Sequence, residues 1–132
     1  MERKMKSGLL ERDLTNMTGP RSIVKLLKGT GWTWERVRDT GKKDHRGSGF
    51  DGWLVKGALA VRTEVKLGSA KLTASERAKM QECQDAGQPY MILRFEEIEI
   101  VATIQNEKMF CAPEMQFVLH WIEEQLKNWG RP

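Results

Sequence analysis

Cysteine and histidine are nearly absent. Cys83 and Cys111 form no CxxC pair, and His45 and His120 are the only histidines, so a structural zinc site is poorly supplied. Two free, buried thiols are the expectation. No apolar run approaches the roughly 18 residues of a membrane span, and the N-terminus, with Glu2, Arg3, Lys4 and Lys6, lacks the apolar stretch of a signal peptide. This predicts a cytosolic protein with no membrane partner, in the host-cell cytoplasm if the chain is viral. Disorder is excluded by the apolar content: 39% hydrophobic residues and five tryptophans can bury enough surface to offset the entropy of folding. At 132 residues the chain is the size of one domain.

Positive charge is concentrated in the first half. Residues 1–49 hold 12 Lys and Arg against 6 Asp and Glu, whereas residues 81–132 hold 4 against 9, a polarity that the net charge of +4 understates. One positive face suits a polyanion, because each phosphate contact releases counterions. The plainer alternative is a solvated basic surface.

Residues 1–19 read as a polar arm with one apolar cluster at Leu9, Leu10 and Leu14, either a short helix or a loosely docked segment; residues 20–132 read as a single domain. Ile23, Val24, Leu26 and Leu27 predict a helix stopping near Gly29, and Trp32–Arg38 alternates as a strand does. Residues 40–49, with Lys42, Lys43, His45 and Arg46 among glycines, predict a basic, mobile loop. Phe50–Val55 and Ala58–Lys66 predict a hairpin turning at Lys56-Gly57. Period two sorts the second strand into Leu59, Val61, Thr63 and Val65 on a core face and Ala60, Arg62, Glu64 and Lys66 on a charged one.

Thr73 and Glu76 have the spacing of a capping box opening a helix that runs to Gly87. Tyr90–Phe95 predicts a strand, and Ile98–Ile104 either a further strand or a helical turn. An amphipathic helix after Pro113 closes the chain, with Met115, Val118, Ile122, Leu126 and Trp129 at helical spacing and Phe117 and Trp121 widening the stripe. That stripe is domain core or a dimer interface, with core favoured. The order is helix, three strands, helix, one or two strands, helix: an α/β domain with a central mixed sheet flanked by helices.

One constellation carries chemistry. Glu64 and Lys66, two apart on a strand, project from one face, and the hairpin brings Asp51 near Glu64. Two carboxylates can hold a hard cation such as Mg²⁺ or Mn²⁺, and a lysine can order an attacking water or neutralise charge developing on a phosphodiester. The Val65 carbonyl, between them, can add a ligand, and Gly49 and Gly52 leave room beside Asp51 for a backbone or phosphate approach. A lone Glu-x-Lys is more often a solvated ion pair; the ordered set of Asp, turn, Glu-x-Lys, loop and capped helix is much rarer.

With these residues, Arg46-Gly47-Ser48-Gly49-Phe50-Asp51-Gly52-Trp53-Leu54-Val55, Thr63-Glu64-Val65-Lys66, Leu72-Thr73-Ala74-Ser75-Glu76 and Ala86-Gly87-Gln88-Pro89-Tyr90, the chain resembles the PD-(D/E)xK nucleases. It is most similar to their virus-type replication-repair (VRR-NUC) branch, as found in phages, with archaeal Holliday-junction resolvases a further relative; the resemblance covers Ile23 to Phe95. It implies a restriction-endonuclease-like core in αβββαβ order, metal binding by Asp51 and Glu64, a catalytic Lys66, DNA as the partner with a role in DNA repair, and homodimers cutting branched DNA. Phe50 stands where the name motif has Pro, at a position without ligand chemistry. Glu76 stands where relatives often have Gln, and the capping box is its expected job. The first predicted helix carries no acid, so Glu11 or Glu35 would substitute.

Lys42, Lys43, Arg46 and Arg62 are the candidate DNA contacts, while His45 is read as an ordinary loop histidine. Trp32, Trp34 and Trp53 could stack on unpaired bases, with core packing expected for at least two. A non-cutting DNA-binding module of the same fold and a ribonuclease are the rival readings.

Overall fold

Alternation along residues 52–67 builds the hairpin on which the rest of the sheet is laid. The computed structural model describes residues 8–9, 11–17, 19, 21–37 and 49–130. In chain order its elements are α1 (Glu11–Thr15), α2 (Ile23–Leu26), β1 (Thr33–Arg36), β2 (Gly52–Lys56), β3 (Leu59–Leu67), α3 (Ala74–Asp85), β4 (Tyr90–Phe95), β5 (Ile100–Ile104), β6 (Lys108–Ala112) and α4 (Met115–Lys127). One six-stranded sheet runs β1-β2-β3-β4-β5-β6. Among the described residues only β3 and β4 pair in parallel, and α3 is the crossover that a parallel pair requires. The architecture is the expected α/β domain with a mixed sheet and flanking helices.

The hairpin turn falls at Gly57-Ala58, one residue later than expected, because Lys56 still pairs with Leu59. Gly57 has φ +58, a left-handed conformation that glycine adopts without a steric cost.

Two apolar layers sandwich the sheet. On one face Trp34, Leu54, Val61, Val65, Met91 and Leu93 pack with Leu14 of α1, Ile23 of α2, and Met115, Val118, Leu119, Ile122 and Leu126 of α4. On the other, Tyr90 and Ile92 pack beneath Cys83 of α3, with Phe50, Leu72 and Met80 alongside. The described part of the arm contains a short helix, α1, whose Leu14 is part of the main core. Trp32 and Trp34 are core residues, as expected for two of the three tryptophans.

Several expectations are corrected. Cys83 is buried, but Cys111 is exposed on β6. Phe117 does not widen the buried stripe of α4, being 53% exposed; Leu119 takes that place. Strand β6 was not read from the sequence at all. Its turn places Gln105 and Asn106 at φ 55 and 58, with the Glu107 N–H donating to the Ile104 carbonyl at 3.1 Å. Two successive positive φ angles match the right-handed twist of a hairpin. Without the usual Asn-Gly signal, that hairpin is hard to see in sequence.

Leu14→Ala should cost about 2–5 kcal/mol of stability, the range for deleting buried leucine methyls, as measured by urea unfolding. A loss under about 1 kcal/mol would show that α1 is not part of the cooperative unit.

Candidate functional site

Where β2 stops pairing with β3, a side chain takes over the ladder. The register ends at Gly52↔Thr63. The Asp51 N–H donates to the Thr63 carbonyl at 3.0 Å, one residue out of step, while its own carbonyl accepts from Val37 N–H at 3.0 Å. Asp51 Oδ2 then accepts from the Val65 N–H at 2.8 Å, where a strand carbonyl would otherwise sit. Such slips bend a strand and re-aim a side chain. The N–H and C=O of one strand residue point to the same edge, so the Val65 carbonyl lies on the Asp51 side.

Glu64 and Lys66 sit on the opposite face of β3 from the main core. Period two placed them there correctly, but the face is not solvated at this end: Glu64 is 2% and Lys66 5% exposed. The Lys66 Nζ lies 2.9 Å from Glu76 Oε1, 3.5 Å from Glu64 Oε2 and 4.0 Å from Glu11 Oε1. Glu76 belongs to the capping box of α3: its Oε1 accepts from the Thr73 N–H at 2.8 Å, and the Glu76 N–H donates to Thr73 Oγ1. Capping was the expected job, and the same oxygen also holds Lys66.

One carboxylate oxygen each from Glu11, Asp51 and Glu64 lie within 4.8 Å of one another. Three carboxyl groups, of Glu11, Glu64 and Glu76, lie within 4.0 Å of the one ammonium, and Asp51 joins two of them in the oxygen cluster. A divalent cation would balance the surplus negative charge, and oxygen donors at this spacing suit a hard ion. The donor set fits Mg²⁺ or Mn²⁺.

The titration of the cluster reflects the crowding. Burial pushes the Glu64 carboxyl up to about 10, reinforced by the charges of Asp51 and Glu76 and opposed by Lys66. Burial also raises Asp51, against hydrogen bonds from Val65 N–H and Glu64 that favour its ionised form. For Lys66, burial disfavours the charge, but the hydrogen bond to Glu76 and the carboxylates of Glu64, Glu76 and Glu11 outweigh it, so its pKa is raised. Burial would raise Glu76; the Thr73 N–H, Lys66 and Glu64 reverse this, and its pKa is lowered. Without a cation, Glu64 keeps its proton at neutral pH.

Gly49 and Gly52 both admit a close approach of backbone, one of the two uses expected of them. A Cβ on Gly52 would lie 2.6 Å from both the Glu35 carbonyl oxygen and Trp34 Cζ2. At Gly49, with φ +81, a Cβ would lie 3.0 Å from the Ser75 carbonyl and press on the Lys79 side chain. They make room for the chain's own packing.

The structure brings Asp51, Glu64, Lys66, Glu76 and Glu11 together and leaves Glu35 out. Glu35 is exposed on β1, opposite Trp53. Arg62 lies two residues before Glu64 on the same face, over the Trp53 ring at 4.6 Å. Lys42, Lys43, His45 and Arg46 lie outside the described residues.

Two residues that position the site were not singled out from the sequence. The Tyr90 hydroxyl donates to the Gly49 carbonyl at 2.6 Å, pinning the approach to Asp51 against β4, and burial raises its pKa, reinforced by the negative charges of Glu64, Glu76 and Asp51. Arg94 donates to the carbonyls of Gly68 and Ala70 at 2.5 and 2.7 Å and so fixes the loop leading into α3. The signal for Arg94 was a single charge in the otherwise apolar run Tyr90–Phe95, since a charge in a buried strand needs partners.

No family model and no curated protein matches the chain, so the virus-type branch remains a resemblance of motifs. Among solved structures the chain is similar to Hjc of Archaeoglobus fulgidus, a Holliday junction resolvase from an archaeal hyperthermophile. The identity is 18%, the match covers 74% of this chain and 87% of that one, and the TM-score is 0.45.

Proposed function

We propose that the protein is a Mg²⁺- or Mn²⁺-dependent DNA endonuclease acting selectively on branched or junction DNA. The observation that carries this reading is the set of Glu11, Asp51 and Glu64 oxygens within 4.8 Å of one another, beside the buried Lys66 ammonium. Glu11, Asp51, Glu64 and the Val65 carbonyl would hold the ion. When bound, it would supply positive charge to the scissile phosphate. Lys66 would order the attacking water and steady the charge that develops on the phosphate oxygens. Glu76 keeps Lys66 in place from the start of α3. The preference for branched DNA follows the motif resemblance, as does a homodimer presenting two sites to related strands. The basic residues Lys42, Lys43, Arg46 and Arg62 are the proposed DNA contacts. The complete acid and lysine set favours cutting over a binding module that does not cut.

Labelled linear duplex, single-stranded, flap and four-way-junction DNA, with matched RNA, should be incubated with Mg²⁺, Mn²⁺ or EDTA. Metal-dependent cutting is expected, strongest on branched DNA. Asp51→Asn and Glu64→Gln should each lose on the order of 100-fold or more in rate, and Glu11→Gln should weaken metal binding. Lys66→Ala should retain metal and DNA binding while kcat falls by about 10²- to 10³-fold. Full activity in the Asp51, Glu64 or Lys66 variant would remove that residue from the mechanism. Binding without cutting in any metal would leave the non-catalytic module.

Metal affinity should depend on pH. A cation at Glu64 must displace a proton retained up to about pH 10, so protons compete with the ion and a rise in pH favours binding. Apparent Mn²⁺ affinity should tighten by up to about tenfold per pH unit as pH rises from 6 toward 9, measured by calorimetry. A flat profile would mean that Glu64 does not ligate the ion.

A further inference from the structure

Beside the carboxylates, the sheet carries a second arrangement that metal binding does not use. Trp53 on β2 and Arg62 on β3 are direct cross-strand partners. Trp53 lies two residues from Asp51 along its strand, and Arg62 two residues from Glu64, a step of about 7 Å. The Arg62 guanidinium lies 4.6 Å from the centre of the Trp53 ring and 5.9 Å from that of Phe50. It is fixed there by donating to Gln88 Oε1 at 2.8 Å, and Phe50 meets the Trp53 ring edge-on at 5.5 Å. The planar groups are therefore set before any ligand arrives.

Helix α3 covers this face of the sheet at Tyr90 and Ile92, and the row continuing through Arg62, Trp53 and Glu35 lies beyond it. Among the described residues no helix packs on that row; Glu35 and Gln88 at its borders are exposed, and Trp53 and Arg62 are partly so. A cation lying on an aromatic ring, one nucleotide's reach from a candidate phosphate-cutting centre, matches the chemistry of a nucleobase: bases stack on aromatic rings and on guanidinium planes alike. A phosphate fits the row less well, because Glu35 stands at its end. Bases inside a duplex hide their faces against their neighbours, so only an unpaired one can take the place.

We infer that the Trp53–Arg62 pair receives an unpaired nucleobase adjacent to the phosphate being cut, which would make this pair the reader of branched over plain duplex DNA. The inference deepens the nuclease reading and rests on it.

The test is binding of a junction or flap with 2-aminopurine unpaired at the branch, against a fully paired duplex of the same length, with Ca²⁺ in place of Mg²⁺. Wild-type protein should prefer the unpaired substrate by about 5- to 150-fold, the worth of stacking one base, and should quench the 2-aminopurine fluorescence. In Trp53→Ala and Arg62→Lys that preference ratio should fall toward one and the quenching should be lost; Trp53→Phe should restore part of both. Thermal melts identify any variant that fails to fold, in which case the Phe and Lys variants decide. A preference unchanged in these variants, or no preference in wild-type protein, would overturn the inference and leave the face covered by other parts of the chain or by another partner. Cleavage in Mg²⁺ is scored separately: cutting without base preference sinks this inference alone, a base preference without cutting sinks the nuclease reading, and no DNA binding sinks both.

Discussion

One carboxylate oxygen joins the sheet to the helix that covers it. Glu76 Oε1 accepts both the Thr73 N–H at the start of α3 and the Lys66 ammonium on β3. A lysine this deeply buried is costly unless its charge is paired, and several kcal/mol per ion are at stake. Lys66 can be held inside because α3 starts where it does, and α3 starts there because Thr73 and Glu76 close the capping box. Arg94 adds the third support by holding the Gly68 and Ala70 carbonyls in the intervening loop. The lysine, the cap and the crossover loop therefore depend on one another.

The same dependence explains why charge is left over. Lys66 can neutralise one carboxylate, and Glu76 is the nearest. Asp51 is supported by the Val65 N–H, a dipole without net charge. Glu64 lies between them in a dry place and keeps a proton. A buried glutamic acid that must stay neutral to be tolerated adds little as structure, since an apolar residue of similar size would serve the fold as well or better. Its presence makes sense where a cation exchanges for the proton.

Much of this was legible in the sequence because it is periodic. The alternation along Leu59–Leu67 puts Glu64 and Lys66 on one face, and the Thr73 and Glu76 spacing fixes the start of α3. What was not legible depends on long-range placement. Nothing local distinguishes Glu11 from Glu35 as the additional acid: Glu11 reaches the site because Leu14, three residues on, is buried in the core and anchors the short helix, whereas Glu35 is held on β1, two strands from β3. Burial of the charged face was also missed, since alternation tells which side a residue points to and not whether a helix lies over it. The β5–β6 hairpin escaped because its turn is made by Gln105 and Asn106 without a glycine.

The two ends of the charged face differ for a physical reason. Toward Lys66, α3 and α1 exclude water, which strengthens interactions between charges and raises the cost of any left unpaired. Toward Arg62 the face opens, and the contacts change from ion pairs to a guanidinium lying on an aromatic ring. In the proposed nuclease a phosphate would meet concentrated charge in a dry cleft, whereas a nucleobase would need flat, exposed planes. Strands β2 and β3 carry Asp51 beside Trp53 and Glu64 beside Arg62, so the spacing between the two environments is set by the strand repeat and not by a flexible loop.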